Sequence, residues 1–339
     1  MRSFAHWVGA AALAFAPTLA AAQQATKPVK IGILNDQSGV YADYGGKWSA
    51  EAARMAIADF GGKVLGQPID LVSADHQNKP DVASNIARQW YDVDGVDAIM
   101  ELTTSSVALA IQQLSKDKKK ITMVSGAATS DLTGKACTPY GFHWAFDTRA
   151  LAVGTGGSLV ENGGDSWFFI TADYAFGYSL EQDTAKYVTS KGGKVLGQVR
   201  HPLAASDYSS FLLQAQASKA KIIGLANAGA DTNNSIKQAA EFGIVAGGQR
   251  LAALLFTLSE VHGIGLQAAQ GLVLTEGFLL GHGRPVPGLR QALHGENRPH
   301  AEHDPGRHLF VPAAIPEGRP GGRHGRRRRG DEEAARDAG

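Results

Sequence analysis

The chain has 339 residues, 44% of them apolar, and its 33 basic and 32 acidic residues leave a formal net charge of +1. That length and apolar share can bury two α/β cores. A single cysteine, Cys137, excludes an intramolecular disulfide.

The N-terminus reads as an export signal. Arg2 precedes an apolar run from Trp7 to Leu19, broken by Pro17, and Ala20-Ala21-Ala22 stands before Gln23. A charged start, a short apolar core and an A-x-A site predict a signal peptide over residues 1–22, cut after Ala22. The run is short and interrupted for a membrane span, and no later segment is apolar enough to provide one. The mature chain is therefore expected to be soluble and exported.

Residues 28–145 are expected to form a first lobe. Val29 to Leu34 reads as a strand, Asn35 to Gly39 as a loop, and Lys47 to Phe60 as a helix with Ala50, Ala53, Met55 and Ile57 in its apolar stripe. Such strand-loop-helix openings aim backbone N–H groups and hydroxyls at a crevice. No G-x-G-x-x-G follows Leu34, and Gly45-Gly46-Lys47 lacks the spacing of a P-loop, so neither nucleotide motif is present. Ile69 to Ala74 is the second strand, Pro80 to Asp92 a helix and Ala98 to Leu102 the third strand. Thr103, Thr104, Ser105 and Ser106 precede a helix from Val107 to Leu114. Hydroxyls there can cap the helix or bind a carboxylate at its positive end, and four in a row exceed what a cap needs. The run Lys116 to Lys120 suits a solvated helix C-terminus. Ile121 to Val124 is the fourth strand, followed by small and hydroxyl residues, Ser125 to Ser130, that let a ligand approach the backbone. Cys137 has only His143 near it in sequence and reads as a buried or loop thiol.

Residues 146–278 are expected to form a second lobe. The stretch Phe142 to Arg149 should include the first crossing, with Trp144 and Phe146 as core or cleft aromatics, the core being the favoured place for lone aromatics. Strands Ser166 to Ile170, Val195 to Arg200 and Lys221 to Ala226 lead to loops at Asp173-Tyr174, Ser206 to Tyr208 and Asn227 to Asp231, which would form the second wall of a cleft. The heptapeptide GGKVLGQ, Gly61 to Gln67, recurs letter for letter at Gly192 to Gln198. Each copy closes a strand, a tyrosine-bearing loop (Tyr41 to Gly45; Tyr174 to Gly177) and a helix. In both, Gly-Gly is expected to end the helix and Val-Leu to begin the next strand. Two similarly wound halves with parallel sheets follow.

Five motifs in collinear order, Q-S-G-V-Y-A-D-Y-G, A-x-x-M-A-I-A-D-F-G-G, G-Q-P-I-D-L, S-G-A-A-T-S-D-L-T and D-Y-A-F-G, span Val29 to about Phe278. They resemble the solute-binding proteins of branched-chain amino acid type ABC transporters, the leucine/isoleucine/valine-binding protein family. The resemblance implies an α/β, type I periplasmic binding protein fold, two Rossmann-like lobes with a ligand cleft between them. It also implies a monomer that closes over a small solute and presents it to the membrane permease of an ABC transporter. Carried over by position, Thr104 and Ser105, with Ala127 and Thr129, would hold a ligand carboxylate. Tyr44 would flank the ligand side chain, and Tyr174 would close on it from the second lobe. Members that bind amino acids carry an acid after the next strand to pair with the ammonium. Here the strand Leu251 to Leu255 leads to Phe256-Thr257-Leu258, the nearest acid is Glu260, and the family's preceding aromatic is replaced by Ala228 or Gly229. A buried ammonium without a carboxylate is costly. An aromatic or other organic carboxylate, or an amide, thus stands beside the amino acid as a candidate solute, with Asp231 as a substitute anion.

From Leu279 the composition changes. Residues 281–339 hold no Lys, most of the Arg, including Arg326 to Arg329, and more than half of the His and Pro. At face value this is a disordered basic tail, with His300-x-x-His303 a weak metal pair. The favoured reading is a frameshift: read one base later after Phe278, compatible codons can spell Y-W-A-M-D-D-R-S-R-A-F-A-K-R-F-M-E, which resembles the family's C-terminal segment returning to the first lobe. Residues 279–339 would then be an out-of-frame tail, and the protein as written destabilised or inactive. No catalytic residue, cofactor, metal or nucleic-acid partner is expected. A ligand-sensing module would need an output domain or a span. An enzyme would need a nucleotide fingerprint, a metal cluster or a G-x-S-x-G elbow.

Overall fold

Short apolar strands alternating with amphipathic helices build one sheet in each half of the chain. The computed structural model describes residues 27–276 and 311–314. The expected signal peptide and most of the tail, including His300 and His303, lie outside the described residues.

The first half contains β1 (Val29–Asn35), α1 (Gly46–Asp59), β2 (Lys63–Val64), β3 (Gln67–Asp75), α2 (Pro80–Gln89), β4 (Ala98–Glu101), α3 (Ser105–Lys118), β5 (Ile121–Val124) and β6 (Gly141–His143). Its sheet runs β2-β3-β1-β4-β5-β6, parallel from β3 to β6. The second half contains α4 (Thr148–Leu151), α5 (Gly157–Glu161), β7 (Ser166–Ala172), α6 (Ala175–Ser190), β8 (Lys194–His201), α7 (Ser209–Ala217), β9 (Ile222–Ala226), α8 (Ala230–Glu241), β10 (Arg250–Ala253), α9 (Leu258–Ile264) and β11 (Val273–Glu276). Its sheet runs β8-β7-β9-β10-β11 in parallel. An antiparallel edge strand, β12 (Val311–Ala314), is added beside β11, so four residues of the expected tail are ordered as strand.

Numbered within each half, the parallel strands lie in the order second, first, third, fourth, fifth in both sheets. This is a doubly wound arrangement whose winding reverses between β1 and β4 and between β7 and β9. The crevice beyond the strand C-termini at that reversal is where such sheets take ligands. The fold class is the one the sequence predicts.

The repeated heptapeptide takes two shapes. At Gly192 to Gln198 it ends α6 and runs into β8, with the register to β7 shifting between Trp167 and Phe168. Gly197 meets the shift because a Cβ there would lie 3.1 Å from the Phe168 ring. At Gly61 to Gln67 it forms a hairpin. Lys63 and Val64 pair antiparallel with Pro68 and Gln67, and Leu65 and Gly66 turn at φ 51° and 77°. The strand expected to begin at Val64-Leu65 therefore begins at Gln67. A positive φ at both central residues is what a tight hairpin needs.

Two further expectations are corrected. The second helix leaves α geometry at Gln89, and Trp90–Asp94 widen into a π turn closed by Gly95 at φ 71°. Trp90 folds onto β1, where a Cβ on Gly32 would come within 2.4 Å of its ring. Trp144 is not a core residue: it is 49% exposed, while Phe146 is partly buried against the cleft side of the second lobe. Cys137 is exposed and free.

The second sheet is covered on both faces. Phe168, Ile170, Ile223, Leu225 and Leu251 pack on one side, and Trp167, Phe169, Ile222 and Ala252 on the other. Among the described residues the first sheet has one dense face, Leu34, Ile99 and Val124 under α2 and α3.

Candidate functional site

The loops leaving the strand C-termini of the two sheets face each other, and a narrow cavity lies between them, about 20 Å³ in volume. The first lobe supplies Tyr41, Tyr44, Thr103, Gly126 and Ala128, and the second supplies Tyr174, Phe176, Ala228 and Leu255. None of these side chains is charged.

Tyr41 owes its place to Asp36, the first residue after β1. Asp36 is fully buried, and its carboxylate accepts the N–H groups of Gly39 at 2.8 Å and Tyr41 at 2.9 Å and the side-chain amide of Asn78 at 2.5 Å. Paired this way, a buried carboxylate is tolerated, and it folds the β1-α1 loop over the cleft. The Tyr41 ring meets Tyr44 edge-on at 6.4 Å. Its hydroxyl is hydrogen-bonded to that of Tyr174, which stands at the head of α6 in extended conformation. Burial pushes both phenols well above their ordinary pKa, so both remain protonated donors.

Thr103 is oriented from behind. The Asn78 N–H donates to His76 Nδ1 at 3.0 Å, which leaves the ring proton of neutral His76 on Nε2, facing Thr103 Oγ1 at 3.3 Å. The Asp36 N–H donates to the same oxygen at 2.9 Å. Burial takes the His76 pKa down to about 4, so the neutral form prevails near pH 7. With both lone pairs engaged, the Thr103 hydroxyl can only donate, and Thr103 lines the cavity. Beside it, Glu101 and Leu102 adopt φ of 80° and 55°, a region that costs a non-glycine residue energy. Glu101 secures this turn: its carboxylate accepts Ser49 Oγ at 2.9 Å and Ser125 Oγ at 2.5 Å.

Of the residues the sequence points to, Tyr44 and Tyr174 line the cavity. Thr104, Ser105, Ala127 and Thr129 are not among its lining residues, and all four are buried. Thr104 occupies the N-cap of α3 without capping it; its hydroxyl donates to Asn78 Oδ1. Ser105 Oγ accepts the Thr129 N–H at 3.2 Å, Thr129 Oγ1 accepts the Asp131 N–H at 3.3 Å, and the Ala127 carbonyl faces His143 Nε2 at 2.8 Å. Asp231, in the first turn of α8, is fully buried and accepts Tyr208 Oη at 2.9 Å and the Ala204 N–H at 3.2 Å. Burial raises its carboxyl pKa, with nearby His201 opposing.

The cavity residues that were not among the individually predicted site positions are Tyr41, Thr103, Gly126, Ala128, Phe176, Ala228 and Leu255, although Thr103 lies in the predicted hydroxyl run and Gly126 and Ala128 in the small-residue run. Tyr41 and Phe176 sit in loops already marked by motifs. Thr103, Gly126 and Ala128 are one residue from the predicted positions, an offset that strand-end geometry alone decides. Among the described residues no group of three His, Cys, Asp or Glu side chains is placed to hold a metal.

The lobes touch around the cavity. The Ala230 N–H donates to the Val40 carbonyl at 3.1 Å, and Asp183 of α6 accepts Ser130 Oγ at 2.8 Å while also holding Thr148 of its own lobe at 2.6 Å.

Comparison with solved structures finds the same architecture. A periplasmic binding protein from Burkholderia mallei is 55% identical with a TM-score of 0.74, the match covering 76% of this chain and 68% of that one. A branched chain amino acid ABC transporter periplasmic ligand-binding protein from Burkholderia xenovorans is 38% identical, TM-score 0.68, over 81% and 74% of the two chains. An ABC transporter solute binding protein from R. palustris, in complex with 4-hydroxybenzoate, is 25% identical, TM-score 0.69, over 76% and 70%. The family model for periplasmic binding proteins matches residues 28–284, and with two doubly wound lobes facing a shared cleft, this chain belongs to the periplasmic binding protein family.

Proposed function

We propose that the protein captures a small aromatic carboxylate in the periplasm and delivers it to the permease of an ABC transporter. One observation carries this reading: the cavity is walled by tyrosine, phenylalanine and small residues with an oriented Thr103 donor, and no charged side chain lines it. An α-amino acid would bring an ammonium needing a carboxylate at close range. Asp36 is committed to its own loop, and Asp231 to Tyr208 and Ala204. A flat ring suits aromatic walls, and its carboxylate would accept from Thr103. Thr104, Ser105, Ala127 and Thr129 would stiffen the shelf behind that contact, while Tyr44 and Tyr174 flank the ring. The R. palustris relative in complex with 4-hydroxybenzoate supports the same class of solute. Binding would hold the lobes closed, and the closed shape is what a permease would recognise. The protein would act as a monomer, exported by its predicted signal peptide, and without catalysis.

The test is calorimetric titration of the full chain with benzoate, 4-hydroxybenzoate and leucine near pH 7. Micromolar or tighter binding of an aromatic acid is expected, with leucine at least about a hundredfold weaker, the order of penalty for an unpaired buried ammonium. Tighter binding of leucine than of either acid would refute the reading.

A further inference from the structure

Resting on that reading, we propose that Tyr41 and Tyr174 form a two-lobe hydroxyl clasp that selects aromatic acids carrying a ring hydroxyl opposite the carboxylate. The two phenols meet head to head across the cleft, one from each lobe. Tyr41 is 4% exposed. Around them the second-lobe wall is apolar, made by Phe176, Ala228 and Leu255, so the pair is a concentrated hydrogen-bonding spot in an otherwise apolar wall.

The pair is also held in place. The Tyr41 N–H is fixed on Asp36, and its neighbour Val40 is tied to the second lobe through the Ala230 N–H. Tyr174 packs on Phe176, ring centroids 6.0 Å apart.

Two hydroxyls in contact share one hydrogen bond and can open to admit a third. One tyrosine donates to the incoming oxygen, which donates to the other tyrosine, so one bond is replaced by two. Thr103 and the pair line the same cavity, so a ring whose carboxylate sits at Thr103 would present its far end to this spot. Benzoate leaves the tyrosines bonded to each other. A methyl group at the same ring position pushes them apart and returns nothing, leaving polar groups unpaired.

Titrations of the full chain with 4-hydroxybenzoate, benzoate and 4-methylbenzoate decide it, repeated on Tyr41→Phe and Tyr174→Phe. For the unsubstituted protein we expect 4-hydroxybenzoate to bind about tenfold tighter than benzoate, the worth of a net hydrogen bond, and 4-methylbenzoate weaker than both. Each substitution should lower the ratio of the two affinities from about tenfold to within about twofold, whatever loss the two acids share. Using one variant in each lobe guards against local misfolding, since the same pattern must come from both. Equal loss of both acids would mean that the tyrosines hold the carboxylate, and an unchanged preference would mean that they do not touch the hydroxyl; either result overturns the clasp. Failure of the unsubstituted protein to bind any of the three acids overturns the functional reading and the clasp with it.

Discussion

His76 shows how much a single buried side chain can govern here. It lies at the C-terminal end of β3, fully buried, and burial outweighs the pull of Asp36 and Asp75 to hold its pKa at about 4, against about 6.5 in an unfolded chain. Burial lowers the pKa of His143 and His201 as well. Between pH 6.5 and 4 the unfolded chain therefore binds protons that the folded one refuses, so stability falls as pH falls through that window. For His76 alone the full shift corresponds to about 3 kcal/mol. Asp231, whose pKa is raised, works the other way above the ordinary carboxyl range and blunts the slope. Thermal melts from pH 7.5 to 4.5 should show a progressive loss, and His76→Gln should flatten it; a melting temperature that is level across the range would contradict this. None of this was legible in the sequence. His76 and Thr103 stand 27 residues apart, and the tautomer that makes Thr103 a donor depends on the Asn78 N–H, turned toward the ring by positive φ at Gln77 and Asn78.

At the scale of elements, the strands and most helices were legible because apolar periodicity survives the fold: β5 spans Ile121–Val124 as read, and the two halves share one strand order. Loop ends were less legible. GGKVLGQ becomes a hairpin in one lobe and a strand in the other, since β8 is held along its length by β7 while Lys63 and Val64 have only β3. The β9-α8 loop makes a sharper point. Gly229 adopts φ 60°, and a Cβ there would lie 2.3 Å from the Val40 carbonyl oxygen, the atom that accepts the interlobe bond from Ala230. Glycine thus lets the lobes meet. Gly229→Ala should disfavour the closed state and weaken solute binding about tenfold or more, a change of about 1.4 kcal/mol in the closing equilibrium. Titration alongside a ligand-free melt separates the effects: lowered melting with unchanged affinity would show that the residue serves the second lobe alone.

The whole molecule is asymmetric in a way that bears on its reading frame. By strand register, Ile33, Met100, Met123 and Phe142 are neighbours across one face of the first sheet, as are Leu71, Ile31, Ala98 and Ile121. Among the described residues this face has no buried cluster to match the one on the other side. Phe142 is 53% exposed and Ile121 38%, and the α1 stripe of Ala53, Met55 and Ile57 is only half-buried. Parallel sheets are normally covered on both faces, and the second sheet is. Residues 281–339, rich in Arg, Gly and Pro, are ill suited to cover an apolar face, whereas the segment that compatible codons could spell one base later after Phe278 would set Trp, Phe and Met among charged residues. We expect the gene to carry a frame error at that codon, and the frame-restored protein to bury Phe142, Ile121 and Trp144. At about 1.5–3 kcal/mol per large apolar side chain fully buried, discounted because these three are already half-covered, the gain is about 3 kcal/mol or more. That raises the melting temperature by roughly 10 °C and removes binding of a hydrophobic dye. Sequencing across the codon for Phe278 is the first measurement. If the frame stands, and the chain as written melts cooperatively without binding dye, the first lobe completes its core by another route and the expectation is wrong.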